Sequence, residues 1–350
     1  MMNKLTYIRS KTSTLLAIFS MIFIATSLYA EKLTASYLYN LSDFKGTINY
    51  SWPRLSADSG KNEIYVAYQS YVRIFNDNGM EIYRFEGTDF GSIYDLTVDN
   101  DGNIIILSYK GENYLITLCN FRGDPKSKIE LKDIPTEYAD MHPNRLIYRD
   151  GFLYLADFAS MKIIVTDTNG LFKNGYDISA LLGFDKNKEE AEDAGLGGFS
   201  IDSKGNIAFT IPVIARAYLL FPDLKIISFG KRGSTQGKFG VTGGITADDK
   251  GFYYVADILR CVIIVFDKDF NFQTEFGYRG FKDKNLIAPT DLAIDGRGRI
   301  YVTQGRNRGI SVFNINYRID QNNEEVIPNK DNFISTTRNL QNQEINLKRN

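Results

Sequence analysis

Histidine is almost absent from this chain: His142, in "MHPNR", is the only one among 350 residues. A zinc site built on three imidazoles is therefore excluded, and a Ser–His–Asp nucleophile has only this turn-borne imidazole to draw on. Cysteine is nearly as scarce. Cys119 in "YLITLCN" and Cys261 in "RCVIIVF" each sit in an apolar run, where a buried thiol behaves as a small hydrophobe. No metal-binding cysteine spacing is present. Charge of one sign is lacking too: 41 Lys and Arg face 42 Asp and Glu. A domain that reads nucleic-acid phosphate normally shows a basic surplus, so no nucleic-acid partner is expected. Proline is sparse, at 8 residues, and no stretch sustains a helical period. What is abundant is aromatic: 24 Phe and 22 Tyr, a composition that suits strands.

Long hydrophobic runs are also missing, with one exception. Lys4, Arg9 and Lys11 precede the apolar stretch Leu15 to Leu28, and Ala30 follows at a cleavable position. The stretch is shorter than the ~20 residues of a spanning helix and reads as an export signal over residues 1–30. An exported protein is expected, whether periplasmic, envelope-held or secreted, with no stable membrane span unless the segment stays uncleaved.

The remaining chain repeats itself. "RDGFLYLAD" at 149–157 returns as "DKGFYYVAD" at 249–257. Aligned on that glycine, six copies fall at Gly60, Gly102, Gly151, Gly205, Gly251 and Gly298, between 42 and 54 residues apart. This is the spacing of a four-stranded propeller blade. Each copy reads as an inner strand, an Asp/Gly turn, a second strand, a third such as "VIIVF", a polar turn such as "NDNG", and an outer strand. The expected fold is all-β: a six-bladed β-propeller of antiparallel blades over residues 31–317, with a polar tail over 318–350. The sixth copy lacks an outer strand, whereas Ala35 to Gly46 looks like an orphan one. The N-terminal strand is therefore expected to close the last blade. This register puts the two cysteines in distant units, too far apart to bridge.

"KFGVTGGITADDKGFYYVADILRCVIIVFDKDFNFQTEFGYRG" and "LIAPTDLAIDGRGRIYVTQGRNRGISVF" resemble NHL repeats, over about residues 35 to 317. The resemblance implies the propeller but says little about activity, because propellers host unrelated functions. A lyase of this family acting on peptidyl hydroxyglycine needs several histidines, which are lacking. Lactonases on similar wheels hold a calcium-like ion with Glu, Asn, Asn and Asp. The matching oxygen donors here would be Asp95, Asn144 and Asp291, with unit three shifted by one residue.

Inner strands line a central tunnel, so the residue opening each strand faces its mouth. The register gives Arg54, Asp95, Arg145, Gly198, Gly244 and Asp291, with one residue fewer in units one and three. Around the wheel Arg54 falls between Asp291 and Asp95, so mutual neutralisation is expected there. The glycines either open space for a ligand or let crowded strands approach. The expectation is a non-catalytic binding or scaffolding module without cofactor, meeting a small polar ligand or a protein around Arg54, Asp95, Arg145 and Asp291. A metal-dependent hydrolase or lactonase is the alternative. Asp157 and Asp257 read as turn caps, "RGD" at 122–124 as a hairpin turn, and Trp52 as packing between blades. The charged stretch Asp185 to Asp193 reads as a long solvated connection suited to partner contact.

Overall fold

Each of the six glycine-centred copies becomes one four-stranded antiparallel sheet, and the sheets assemble as a six-bladed β-propeller. The computed structural model describes residues 32–58, 60–184 and 193–318, and Leu33–Asn316 form one compact unit. The export segment, most of the Asp185–Asp193 stretch and the polar tail lie outside the described residues. The inner strands are Arg54–Asp58, Ser92–Val98, Arg145–Arg149, Gly198–Ile201, Thr242–Ala247 and Leu292–Ile294. Among the described residues the one α-helix is the short Ile178–Leu182, and no helix is long and apolar enough to cross a membrane.

The turns explain the repeat's spelling. In blades two, four, five and six, Asp99, Asp202, Asp248 and Asp295 each accept backbone N–H groups from two and four residues on. A short carboxylate in this place mimics a backbone turn. Blade three instead turns on Asp150 and Gly151, with φ of 50° and 86°, joining Arg149 directly to Phe152. That two-residue hairpin needs positive φ at both positions. It accounts for the residue missing from unit three.

Strand alternation then fills the gaps between blades. Tyr253, Val255 and Ile264 of blade five pack with Ala217, Leu219 and Phe229 of blade four. Likewise Ile64, Val66 and Phe75 of blade one meet Tyr301 and Val312 of blade six. Each such buried aliphatic or aromatic side chain contributes about 1.5–3 kcal/mol.

Blade six is closed as the sequence suggested. Its sheet runs from Leu292–Ile294 through Arg299–Thr303 and Ile310–Arg318 to Lys32–Asn40. Tyr37 meets Phe313 edge-on at 5.8 Å, and the Leu41 N–H donates to the Ile310 carbonyl at 3.0 Å. The closing strand starts earlier than the expected Ala35 and stops at Asn40. Ser42–Asp43 and Gly46–Thr47 form their own small hairpin, through which the Ser42 N–H reaches the Gly79 carbonyl of blade one at 2.9 Å.

Because neighbouring strands are antiparallel, three features share one face of the disc. They are the start of every inner strand, the hairpin between second and third strands, and the connection leaving each outer strand. This is the mouth face.

Candidate functional site

The six mouth residues stand at equivalent places. Arg54 pairs with Ala67, Arg145 with Ala156 and Gly198 with Thr210. The Asp291 N–H donates to Thr303 Oγ1 at 2.9 Å. A bulge between Ile93 and Asp95 sets Asp95 into the same ring.

Their pairing differs from the expected neutralisation of Arg54. Arg145 holds both carboxylates. Its Nη1 and Nη2 bind Asp291 Oδ2 and Oδ1 at 2.9 and 3.1 Å, and its Nε lies 3.0 Å from Asp95 Oδ2. Blades three and six face each other across the axis of a six-bladed wheel, so this fork spans the tunnel. Two planar N–H···O contacts to one carboxylate give it a fixed geometry. All three side chains are buried, Asp95 to 1% exposure. The remaining capacity of the carboxylates goes to backbone: Asp95 accepts from Leu96 and Leu146, and Asp291 from Leu292. Phe158 lies beneath the guanidinium, 5.9 Å from ring centre to Cζ.

Burial pushes the Asp95 carboxyl above its ordinary range, with Arg145 and then Arg54 pulling against it. Burial pulls the Arg145 guanidinium down, but Asp291 and Asp95 more than reverse that and raise it. Arg54 shifts the other way. Burial, then repulsion from Arg145, lowers its pKa, and Asp291 and Asp95 only partly offset this. Among the described residues Arg54 makes no side-chain hydrogen bond or ion pair, and it is only partly buried. The mouth thus contains a paired carboxylate–guanidinium cluster and a second cation, Arg54, outside that pairing.

The glycines serve close approach. A Cβ at Gly198 would lie 2.5 Å from the Gly243 carbonyl, and one at Gly244 would lie 2.6 Å from the Thr290 carbonyl. Inner strands of blades four, five and six therefore meet backbone to backbone, with no room for a ligand between them.

The calcium alternative fits this ring poorly. Asp95 and Asp291 are both engaged by Arg145, and Asn144 Oδ1 accepts the Phe158 N–H at 3.4 Å. A cation entering there would meet a guanidinium, and repulsion follows. Among the described residues no group of three or more His, Cys, Asp or Glu side chains converges as metal ligands do.

Other singled-out residues are structural. Asp157 accepts N–H groups from His142, Ala159 and Ser160. Asp257 does the same for Gly240, Val241 and Arg260. Arg122 and Gly123 lie inside the Asn120–Asp124 turn. Cys119 and Cys261 are buried and unbridged, and burial pushes the Cys119 thiol up to about 12. Trp52 departs from its expected role. It is 57% exposed, with its indole N–H donating to the Ala288 carbonyl at 3.3 Å and its ring lying over Gly305. It decorates the mouth face and does not fill the space between blades. Phe158 was missed by sequence reading, because a phenylalanine in a turn carries no signal of its place beside the axis.

No family model matches the chain, and no curated protein matches it in sequence. Solved structures do match in fold. One is a streptogramin B lyase, with TM-score 0.55, 13% identity, and coverage of 81% of this chain and 98% of that one. Another is a catalytically inactive virginiamycin B lyase from Staphylococcus aureus with quinupristin, with TM-score 0.52, 13% identity, and 83% and 100% coverage. A gluconolactonase from Xanthomonas campestris gives TM-score 0.53, 12% identity, and 83% and 93% coverage. The chain is similar to each of them as a six-bladed wheel; identities this low establish the shared fold alone.

Proposed function

We propose that this protein is an exported, non-catalytic binding propeller of the NHL-repeat kind, which takes an anionic group of a small polar ligand or a protein at its central mouth. The observation that carries this reading is the division of labour between the two arginines. Arg145 satisfies both tunnel carboxylates, while Arg54 keeps its charge without a partner among the described residues. A partly buried cation gains most from an incoming anion that replaces its lost water. A metal-dependent hydrolase or lactonase is the alternative, one similar wheel being named a gluconolactonase, but the carboxylates such chemistry would draw on here are engaged by Arg145.

Thermal unfolding of the full chain with citrate and, separately, with calcium distinguishes the two. Citrate is expected to raise the midpoint, by an amount corresponding to about 2.7 kcal/mol at a hundredfold excess over its Kd, and Arg54→Ala is expected to abolish the rise. A calcium-induced rise that disappears in both Asp95→Asn and Asp291→Asn would replace this reading with the hydrolase.

A further inference from the structure

The near-neutral total charge hides a strong local surplus. The connections leaving the outer strands of blades four and five, 230–241 and 277–290, carry three basic residues each, with Asp283 as their single acid. The hairpins 258–261 and 304–309 add Arg260, Arg306 and Arg308 and no acid. All four segments lie on the mouth face by the strand order of the blades. The corresponding segments of the other side, 129–144 above all, are acidic, with Glu130, Asp133, Glu137 and Asp140 against Lys132.

Within the basic sector lies a cleft of about 300 Å³ between blades five and six. Its walls are apolar: Ile258, Cys261, Phe281, Ile287 and Ala288. Arg279 and Arg306 stand among its lining residues, and both are exposed. Arg279 donates to the Leu259 carbonyl, which fixes its direction. Arg306 has no hydrogen bond or ion pair among the described residues. The surroundings are apolar and uncovered: Phe281 and Tyr278 are each 64% exposed and Leu259 is 55% exposed, with Trp52 docked against Ala288 at the same cleft. Exposed aromatic and aliphatic side chains beside arginines are the composition of a protein interface.

We infer that this cleft is a second binding site, separate from the central mouth, for an acidic polypeptide segment of a partner protein. One aromatic side chain of the segment enters between Ile258, Ile287 and Phe281, and flanking carboxylates meet Arg279 and Arg306. Charge selects the partner class, since these four segments carry nine basic residues against Asp283, and with Arg260 paired to Glu275 of the adjoining strand the remaining surplus still favours carboxylates. Concavity selects a peptide anchor over a lipid surface, because a cleft of this size seats one side chain. Arginine contributes planar, bidentate carboxylate recognition.

The test is fluorescence anisotropy of the full chain with a labelled pentapeptide carrying one phenylalanine between two pairs of glutamates. Binding is expected, and it should weaken at least tenfold when alanine replaces the phenylalanine. Arg306→Gly should weaken it at least fivefold while leaving the thermal midpoint in place, because Arg306 has a φ of 52° that glycine adopts freely. Phe281→Ser, on an exposed side chain, gives a second loss, and Arg122→Ala, in the Asn120–Asp124 turn away from the mouth face, should leave binding unchanged. The inference is overturned if the alanine peptide binds equally well, if neither cleft variant matters, or if Arg54→Ala alone removes binding. It is also overturned if the peptide fails to bind at all. In that last case, Arg306-dependent binding to phosphatidylglycerol vesicles would reassign the surface to lipid.

Discussion

Replacing Arg145 by methionine would strip Asp95 and Asp291 of the guanidinium that pairs them, leaving the weaker attraction of Arg54 and the backbone N–H groups they accept from. Breaking one side of a buried charge cluster costs about 3–5 kcal/mol, so Arg145→Met should shift a urea unfolding midpoint strongly downward. Arg54→Ala removes the same charge from an equivalent rung, yet should change stability by less than about 1 kcal/mol, because it holds no partner among the described residues. Equal losses from the two variants would contradict the pairing described here. The identity of all four charged mouth residues was legible from the repeat register. Which arginine takes the carboxylates was not, since that depends on a diametric reach across the axis that linear spacing does not encode. The acidic turn caps were legible because their job is local: an aspartate followed by N–H groups two to four residues later.

Strands and their turns were the most readable level. Alternating apolar residues and Asp/Gly punctuation fix both period and register in a blade. The shortened unit three also follows from one dipeptide, Asp150-Gly151. What the pattern left open was why Gly198 and Gly244 carry no side chain, because space for a ligand and contact with the next strand look identical in a sequence. The structure makes this a contact between strands, and the prediction belongs here. Gly244→Ala would drive a methyl group against the Thr290 carbonyl and Asp291 Cα and should destabilise by about 1–3 kcal/mol in chemical denaturation. Gly60→Ala, which meets only the Asp58 carboxylate oxygen at 3.3 Å, should stay within about 0.5 kcal/mol. A neutral Gly244→Ala would mean that the inner strands are not packed this tightly.

For the whole wheel, closure by Lys32–Asn40 covers the edge of Ile310–Arg318. Deleting 32–40 would expose a row of unpaired backbone groups and remove the buried Leu33. The truncated chain should self-associate in light scattering, and amide exchange should quicken along Ile310–Arg318, the strand that loses its partner. A monodisperse truncation with the parent's thermal midpoint would show that the latch is dispensable. Closure of the ring was readable at this scale because a missing outer strand and a spare one sat at opposite ends of the chain. The lopsided charge of the mouth face was obscured by summing over the full length, and it emerges only when connections are sorted by the end of the blade they occupy.

The latch also dictates a timetable. Lys32–Asn40 is made first among the described strands, but its hydrogen-bonding neighbour is made last, so it must wait while five blades are synthesised. Ring completion is then the longest-range step in the molecule, and refolding should be slow at its final stage and fast before it.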